Sequence, residues 1–318
     1  MSQPVRVRYL TLDFLNNYFL FKVSKVLLFE RTKFQTLEVL ESPEFGLCLL
    51  LDGLIQVAEY DEYRYHETLV HTPLLNAERR RHIAILGGGD GCALREVLKY
   101  RDVERVDLID IDKRVVEVSS KYLSKINRGS LKNKKVRLFF TDARKFISGK
   151  KNAYDSIIID LTDPIEGSPS ILLYSVEFYK KVYEALNPGG SFITQATTLQ
   201  SRQFRRIFWT VKRVFGNAIP LHVYMKTFCD DWGFVMSLKP WNGLKLPPDD
   251  VKKVEDNISK MIDGELRYLN SKTYLSNFII PPEESKILMK PAKEIRDKEA
   301  LKKRKTKDEE SADVTWVF

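Results

Sequence analysis

Short apolar or alternating runs, each closed by turn residues, occupy the first 65 residues: Val5 to Leu10, Tyr18 to Phe29, Phe34 to Leu40, Leu47 to Leu51 and Leu54 to Val57. Ser42-Pro43-Glu44 and Leu51-Asp52-Gly53 read as turns, the second a tight hairpin because Asp-Gly accepts the left-handed backbone it needs. The pattern predicts a small antiparallel β domain over residues 1–68, with Gln35 and Gln56 as polar residues in otherwise apolar strands. Asp61 to Glu67 then leads into a helix carried by Leu69, Val70, Leu74 and Leu75, and its acidic start suits the N-terminal end of a helix dipole.

From His82 the rhythm changes to strands alternating with helices. Ile83 to Leu86 reads as a strand buried on both faces; Gly87-Gly88-Gly89-Asp90-Gly91 turns the chain; Ala93, Leu94, Val97 and Leu98 recur at helical spacing. Val103 to Ile109 ends in Asp110-Ile111-Asp112, Lys135 to Phe140 in Thr141-Asp142, and Tyr154 to Ile159 in Asp160-Leu161-Thr162-Asp163-Pro164. A helix from Phe178 to Leu186 is stopped by Asn187-Pro188-Gly189-Gly190, Ser191 to Gln195 is a fifth strand, and Trp232 to Ser237 a sixth at the edge. This order predicts an α/β, doubly wound, mostly parallel sheet over residues 69–284, with a charged tail over 285–318.

With 318 residues, 43% of them hydrophobic, the chain can fill real cores, and it reads as globular. The most apolar stretch, Leu10 to Phe29, is interrupted by Asp13, Lys22 and Lys25, so no membrane span is expected. Met1-Ser2-Gln3-Pro4 opens no signal peptide, and three scattered cysteines fit a reducing cytoplasm. Four histidines without paired spacing argue against a histidine metal site. The net charge of +9 is concentrated in the tail: Lys286 to Lys307 holds ten Lys or Arg against three Asp or Glu, +7, which leaves +2 for the rest. The tail reads as a solvated helix or disordered extension, with RNA or membrane association as the other reading, and its end, Val314 to Phe318, is apolar enough to dock.

The first four strands of the sheet each end in a carboxylate: Asp90, Asp110, Asp142 and Asp160. Ligands of such sheets lie outside the carboxyl ends of the strands, so the four converge. Asp110 follows the glycines by the interval at which a carboxylate grips ribose hydroxyls, and Asp142 is placed to accept from an adenine amino group. The glycine spacing does not match the dinucleotide pattern, because Cys92 stands where its third glycine belongs. An acidic set repels phosphates, so a nucleoside without phosphate, an S-adenosyl compound, fits better. Asp90, inside the turn, would repel the carboxylate of S-adenosylmethionine and attract the bare ammonium of its decarboxylated form.

These residues resemble the polyamine aminopropyltransferases, the family of spermidine, spermine and thermospermine synthases. The matching motifs are Leu51-Asp52-Gly53 with Gln56, Asp61-Glu62-Tyr63 with Tyr65-His66-Glu67, Gly87 to Gly91 with Leu94-Arg95-Glu96, Asp110-Ile111-Asp112, and Asp160 to Pro164. Asp163 to Pro169 with Leu173-Tyr174, Phe228 and Asp230 before Trp232-Gly233, and Gly264-Glu265-Leu266 with Tyr268-Leu269-Asn270 look most like thermospermine synthases. The resemblance implies a methyltransferase-like Rossmann fold behind the β domain, assembly through that domain as a homodimer or homotetramer, and decarboxylated S-adenosylmethionine as co-substrate without metal or prosthetic group. It implies Asp160 as the proton acceptor assisted by Tyr65. Gln35, Gly87, Gly89, Asp90, Asp110, Asp142, Ala143 and Pro169 would face the donor. Gln56, Tyr65, His66, Asp90, Asp160, Asp163, Gln195, Phe228 and Asp230 would face the polyamine, with Glu62 or Glu67 adding to the acidity. The other readings are methylation of a polyamine with intact S-adenosylmethionine on the same scaffold, which Asp90 opposes, and a non-catalytic polyamine- or RNA-binding protein resting on the basic tail.

Overall fold

The computed structural model describes residues 7–12, 17–164, 169–240, 247 and 249–300. Strands β1 (Val7–Leu12) and β2 (Asn17–Lys22) form an antiparallel hairpin. Then β3 (Lys25–Arg31), β4 (Thr36–Ser42), β5 (Gly46–Leu51) and β6 (Leu54–Ala58) make a four-stranded antiparallel meander in chain order. The apolar stretch Tyr18 to Phe29 is therefore two strands of two sheets, broken at Val23-Ser24 where Ser24 bonds to the Glu41 carbonyl. Asp52 and Gly53 both have positive φ, 47° and 81°, as a two-residue hairpin requires. The period of two sorts the side chains of β4 and β5, and a bulge in β6 turns Ile55 and Val57 to opposite faces. Leu37, Val39, Leu49 and Val57 face a helix of the next unit, and Leu40, Cys48, Leu50 and Ile55 close over Phe21 and Phe45.

Helix α1 (Glu62–Asn76) is continuous through residue 68, where the sequence put the end of the β domain. It is buried on nearly all sides because it packs both on α2 and across one end of the main sheet. That sheet collects β7 (His82–Gly87), β8 (Arg105–Asp110), β9 (Val136–Phe140), β10 (Tyr154–Asp160), β11 (Leu186–Thr198), β12 (Ile219–Met225) and β13 (Asp230–Leu238). Their order is β12-β13-β11-β10-β7-β8-β9. The first five are parallel; β13 runs antiparallel to both β11 and β12. Between the strands lie α2 (Cys92–Val97), α3 (Lys113–Tyr122), α4 (Ser124–Asn127), α5 (Ala143–Ile147), α6 (Val176–Ala185) and α7 (Arg202–Phe215). Alternate residues of β7 show how two helical layers are anchored: Ile83 and Ile85 join the core with α1 and α2, Ala84 and Leu86 the core with α6 and α7. The chain winds one way from β7 and the other way from β10, so the crevice between these two carboxyl ends is where such sheets bind ligands.

Two expectations change. Trp232 to Ser237 belongs to β13, an inner strand; the edge is β12, whose Pro220, His222 and half-exposed Tyr224 disguised it. The region from residue 285 is no solvated extension up to Ala300. After α8 (Val251–Met261) and α9 (Ser271–Ser276), α10 (Pro282–Met289) and α11 (Asp297–Ala300) dock on the body. Leu288 and Ile295 are buried in the α6 and α7 core. Trp209 Nε1 donates to the Leu288 carbonyl at 3.0 Å, and the Ile295 N–H donates to Thr210 Oγ1 at 2.9 Å. Arg144 grips Asp297 with two nitrogens. Residues 301–318, with the rest of the basic run and the apolar end Val314 to Phe318, lie outside the described residues.

Candidate active site

The glycine turn fixes the crevice. Gly87, Gly88 and Gly91 all have positive φ, and a Cβ on Gly87 would stand 2.0 Å from the Asp160 carbonyl oxygen, so only glycine lets β7 lie against the end of β10. The Gly88 N–H donates to that same oxygen at 2.9 Å. A Cβ on Gly89 would meet Asp110 Oδ2 at 2.5 Å; instead its N–H donates to that oxygen at 3.1 Å. Asp110 also accepts from the Asp112 N–H at 2.8 Å, and burial, opposed by these N–H groups, pushes its carboxyl up to about 6.

Asp112 caps α3 and ties the β domain to this edge, accepting from Thr32 Oγ1 at 2.6 Å and Gln35 Nε2 at 3.2 Å. Asp142 caps α5, with Lys145 N donating to its side chain at 2.7 Å. Ala143 opens α5 with no positive φ, so its methyl group is not strained. Pro169 begins a short 3-10 segment to Tyr174; Ile165 to Ser168 lie outside the described residues.

Opposite the glycines, the first turns of α1 present Tyr65 and His66. Tyr65 Oη donates to Asp160 Oδ1 at 2.8 Å, while Asp160 Oδ2 is buried and has no partner among the described residues. His66, Asp90 and Asp160 each bring one side-chain nitrogen or oxygen to within 4.8 Å of the others. Asp90 Oδ1 accepts from the Cys92 N–H at 2.7 Å and faces His66 Nε2 at 3.7 Å. Burial, reinforced by the charge of Asp90, pushes the Asp160 carboxyl up to about 6, although His66 and the Tyr65 hydroxyl oppose it.

Asp163, also pushed up to about 6 by burial, is held by Gln195 Nε2 at 3.1 Å. Gln195 also reaches the Leu161 carbonyl at 2.8 Å and Tyr174 Oη at 2.7 Å, and its Oε1 accepts from the Thr197 N–H. Tyr174 in turn donates to the Thr162 carbonyl at 2.9 Å, so residues 161–163 are pinned from two sides. Phe228 closes the far side, its ring 6.2 Å from that of Tyr65 and 4.7 Å from that of Trp232. Asp230 begins β13 just beyond, half-buried, its carboxyl raised mainly by that burial. Gln56 stands on β6, the strand next to the Phe228 turn, with Nε2 on the Leu54 carbonyl at 3.2 Å.

Three acidic residues do not join the open cluster. Glu67 is consumed by three backbone N–H groups, of Arg267, Tyr268 and Leu269, at 2.7 to 2.9 Å. Glu62 is paired with Arg95 and His66. Asp231 is likewise engaged, with His222 Nδ1 at 3.2 Å. Sequence reasoning assigned no part to Tyr174, Arg95 or Trp232, whose buried Nε1 has no partner among the described residues. The only available signal was their presence in the quoted motifs.

A methyltransferase-like sheet with an acidic, partly unpaired crevice at its switch point defines a Rossmann-like transferase. Residues 62–246 match the spermine/spermidine synthase domain, and residues 15–59 the spermidine synthase tetramerisation domain. The chain is 40% identical over 262 residues to the polyamine aminopropyltransferase of Saccharolobus solfataricus, covering 81% of this chain and 85% of that one. It is 37% identical over 273 residues to that of Sulfurisphaera tokodaii, covering 85% and 89%. The Thermotoga maritima spermidine synthase structure superposes with a TM-score of 0.80 at 26% identity, over 91% of this chain and 97% of the other. A spermidine synthase in complex with the transition-state analogue AdoDATO gives 0.81 at 27% identity over the same shares. This chain belongs to the spermine/spermidine synthase family.

Proposed function

We propose that this chain is a polyamine aminopropyltransferase, moving the aminopropyl group of decarboxylated S-adenosylmethionine to a primary amine of a polyamine and releasing methylthioadenosine. The observation that carries the mechanism is Asp160: one oxygen is held by Tyr65 and the other is buried, unpartnered and beside Asp90. An alkylammonium has a pKa near 10.4, so at neutral pH the acceptor must lose a proton before it can attack. Asp160 takes that proton. The amine nitrogen bonds to the carbon next to the sulfonium, the carbon–sulfur bond breaks, and its electron pair leaves sulfur as a neutral thioether. Asp90 holds the ammonium of the aminopropyl arm, Asp163 one further along the acceptor, and Gln56, His66, Gln195 and Phe228 complete the acceptor wall. Asp110 and Gln35 take the ribose side and Asp142 with Ala143 the adenine, flanked by Ile111 and Phe140, apolar side chains exposed at the same strand ends. Asp90 would repel the carboxylate of intact S-adenosylmethionine, which sets methyl transfer aside.

Incubating the protein with each donor and with putrescine or spermidine, then weighing the products, tests the reading; a gain of one methyl group in place of aminopropyl overturns it. Asp110→Ala removes a charged acceptor of two ribose hydrogen bonds, so methylthioadenosine affinity is expected to fall by about 2–3 kcal/mol. Calorimetry giving the wild-type affinity would move the ribose elsewhere.

Acceptor length depends on the far end. With Asp231 beside His222, we take Asp230, which accepts from the Asp231 N–H at 2.7 Å and from Thr198, as the carboxylate that meets the third ammonium of a triamine. Asp230→Asn is expected to lower kcat/KM for spermidine about tenfold and for putrescine little; equal effects on both would leave the chain a putrescine enzyme. The tetramerisation-domain match supports an oligomer, and we place the assembly at a dimer or tetramer through the N-terminal sheets. No described helix is long and apolar enough to cross a membrane, and the free thiols of Cys48, Cys92 and Cys229 suit the cytoplasm.

A further inference from the structure

Behind His66, on the side away from the crevice, stands an ion network that the transfer reaction as described does not use. Arg95 grips Glu62 with two nitrogens, each 2.9 Å from a different carboxylate oxygen, and is itself fixed by Glu96 Oε1 at 2.6 Å and the Ile126 carbonyl at 2.7 Å. Glu62 Oε2 lies 2.9 Å from His66 Nδ1, and the Glu62 carbonyl 2.7 Å from the same nitrogen. Two acceptors on one nitrogen mean that Nδ1 carries a hydrogen. The other nitrogen then faces Asp90 across 3.7 Å, near enough for an ion pair and too far for a good hydrogen bond.

We propose that Glu62, clamped by Arg95, is a positioning residue. It fixes His66 by Nδ1 as a resident cation opposite Asp90, and His66 gives up its Nε2 proton when the donor's ammonium reaches that carboxylate. The inference rests on the reading of Asp90 given above. The groups facing the ring from each packed element are Glu62 and Tyr65 on α1, Asp90 in the glycine turn, Cys92 and Arg95 on α2, and Asp160 at the end of β10. Asp90 and Asp160 would otherwise confront each other in a poorly solvated place with no cation between them. Glu62 and Asp90 outweigh the burial that disfavours a charged imidazole and push His66 up to about 9, so the ring is charged in the unliganded protein at neutral pH.

Entry of a sulfonium and an ammonium reverses this balance. A third positive charge beside them is unfavourable, and the mobile proton is the one on Nε2, since Nδ1–H stays on Glu62. A polar cavity of about 80 Å³, lined by Glu59, Glu67, Lys99, Lys125, Arg128 and Arg267 around Glu62, lies on the Nδ1 side of the ring, so the Nε2 proton leaves by the crevice.

Donor binding by the full-length protein at pH 7.5, measured by calorimetry in buffers of different ionisation enthalpy, is expected to release roughly one proton. Methylthioadenosine, which lacks the ammonium, should release none. The donor KM should fall by up to about tenfold per pH unit between 7 and 9, as binding coupled to loss of one proton requires. Glu62→Gln should abolish the proton release and flatten that pH dependence, with methylthioadenosine affinity kept within about twofold; Glu62→Asp should restore part of both. Because Glu62→Gln leaves Arg95 short of a partner and could unfold, nitrogen-15 chemical shifts of the wild-type His66 ring, with and without donor, give a second reading. The ring should be doubly protonated when free at pH 7.5 and lose only the Nε2 proton on binding. Aminopropyl transfer with wild-type proton release in Glu62→Gln, or a neutral His66 in the free protein, would overturn this inference alone. A methyl-sized product would overturn the reading beneath it.

Discussion

Asp160→Asn will lower turnover by about a hundredfold or more, the usual size of a lost general base, while leaving methylthioadenosine bound as before. Asparagine keeps the shape and, with its amide oxygen toward Tyr65, can still accept the 2.8 Å hydrogen bond from that hydroxyl. What disappears is the unpartnered oxygen that can hold a proton. The pH profile carries a second signature. A base works ionised, and burial beside Asp90 has pushed this carboxyl up to about 6, so wild-type kcat at saturating donor should climb as the pH passes through about 6 and level off above it. That limb should be missing from the residual activity of Asp160→Asn. If steady-state turnover is unchanged, the proton leaves by another group and the mechanism above is wrong.

Ending the chain after Ser285 should cost the fold dearly. Leu288 and Ile295 would leave a core in which each is nearly or wholly shielded from water, and large-to-small losses at such sites cost roughly 2–5 kcal/mol apiece. The orphaned Trp209 Nε1, Thr210 Oγ1 and Arg144 add to that. For a domain of this size each kcal/mol moves Tm by about 2–4 °C, so calorimetry should show a drop of at least about 10 °C relative to a chain ended after Ala300, which keeps every one of these contacts. Equal Tm values for the two chains would mean that the docked segment contributes nothing.

The acidic crevice was legible because each ingredient is local. A short β-branched run followed by glycine or aspartate marks a buried parallel strand and its carboxyl end, and the sheet's geometry then sets Asp90, Asp110, Asp142 and Asp160 along one edge without any knowledge of side-chain contacts; of these, Asp90 and Asp160 come within 4.8 Å of each other and of His66. What escaped depends on partners distant in sequence. Glu62 and Glu67 look alike in the run Glu62 to Glu67, yet one is met by Arg95 and the other by the backbone of residues 267–269. No periodicity announces either pairing. Strand β12 escaped because an edge strand shows water one face, so His222 and Tyr224 interrupt the apolar pattern. The segment from Lys286 to Ala300 was misread for the opposite reason: its charges dominate the composition, while two aliphatic residues, Leu288 and Ile295, decide where it sits.

The course of α1 also limits how this protein can be shuffled with its relatives. Its start at Glu62 lies four residues after β6 ends at Ala58, and Tyr65 and His66 follow within its first two turns. A crossover placed in that short connection would exchange Gln35 and Gln56 together with the segment that matches the tetramerisation domain, yet leave Asp160 and Tyr65 with the parent that supplied the sheet. A crossover a dozen residues later would split one continuous helix and divide Tyr65 from Asp160. Chimaeras joined between Ala58 and Glu62 are therefore the ones that exchange the N-terminal sheets without dividing Tyr65 from Asp160.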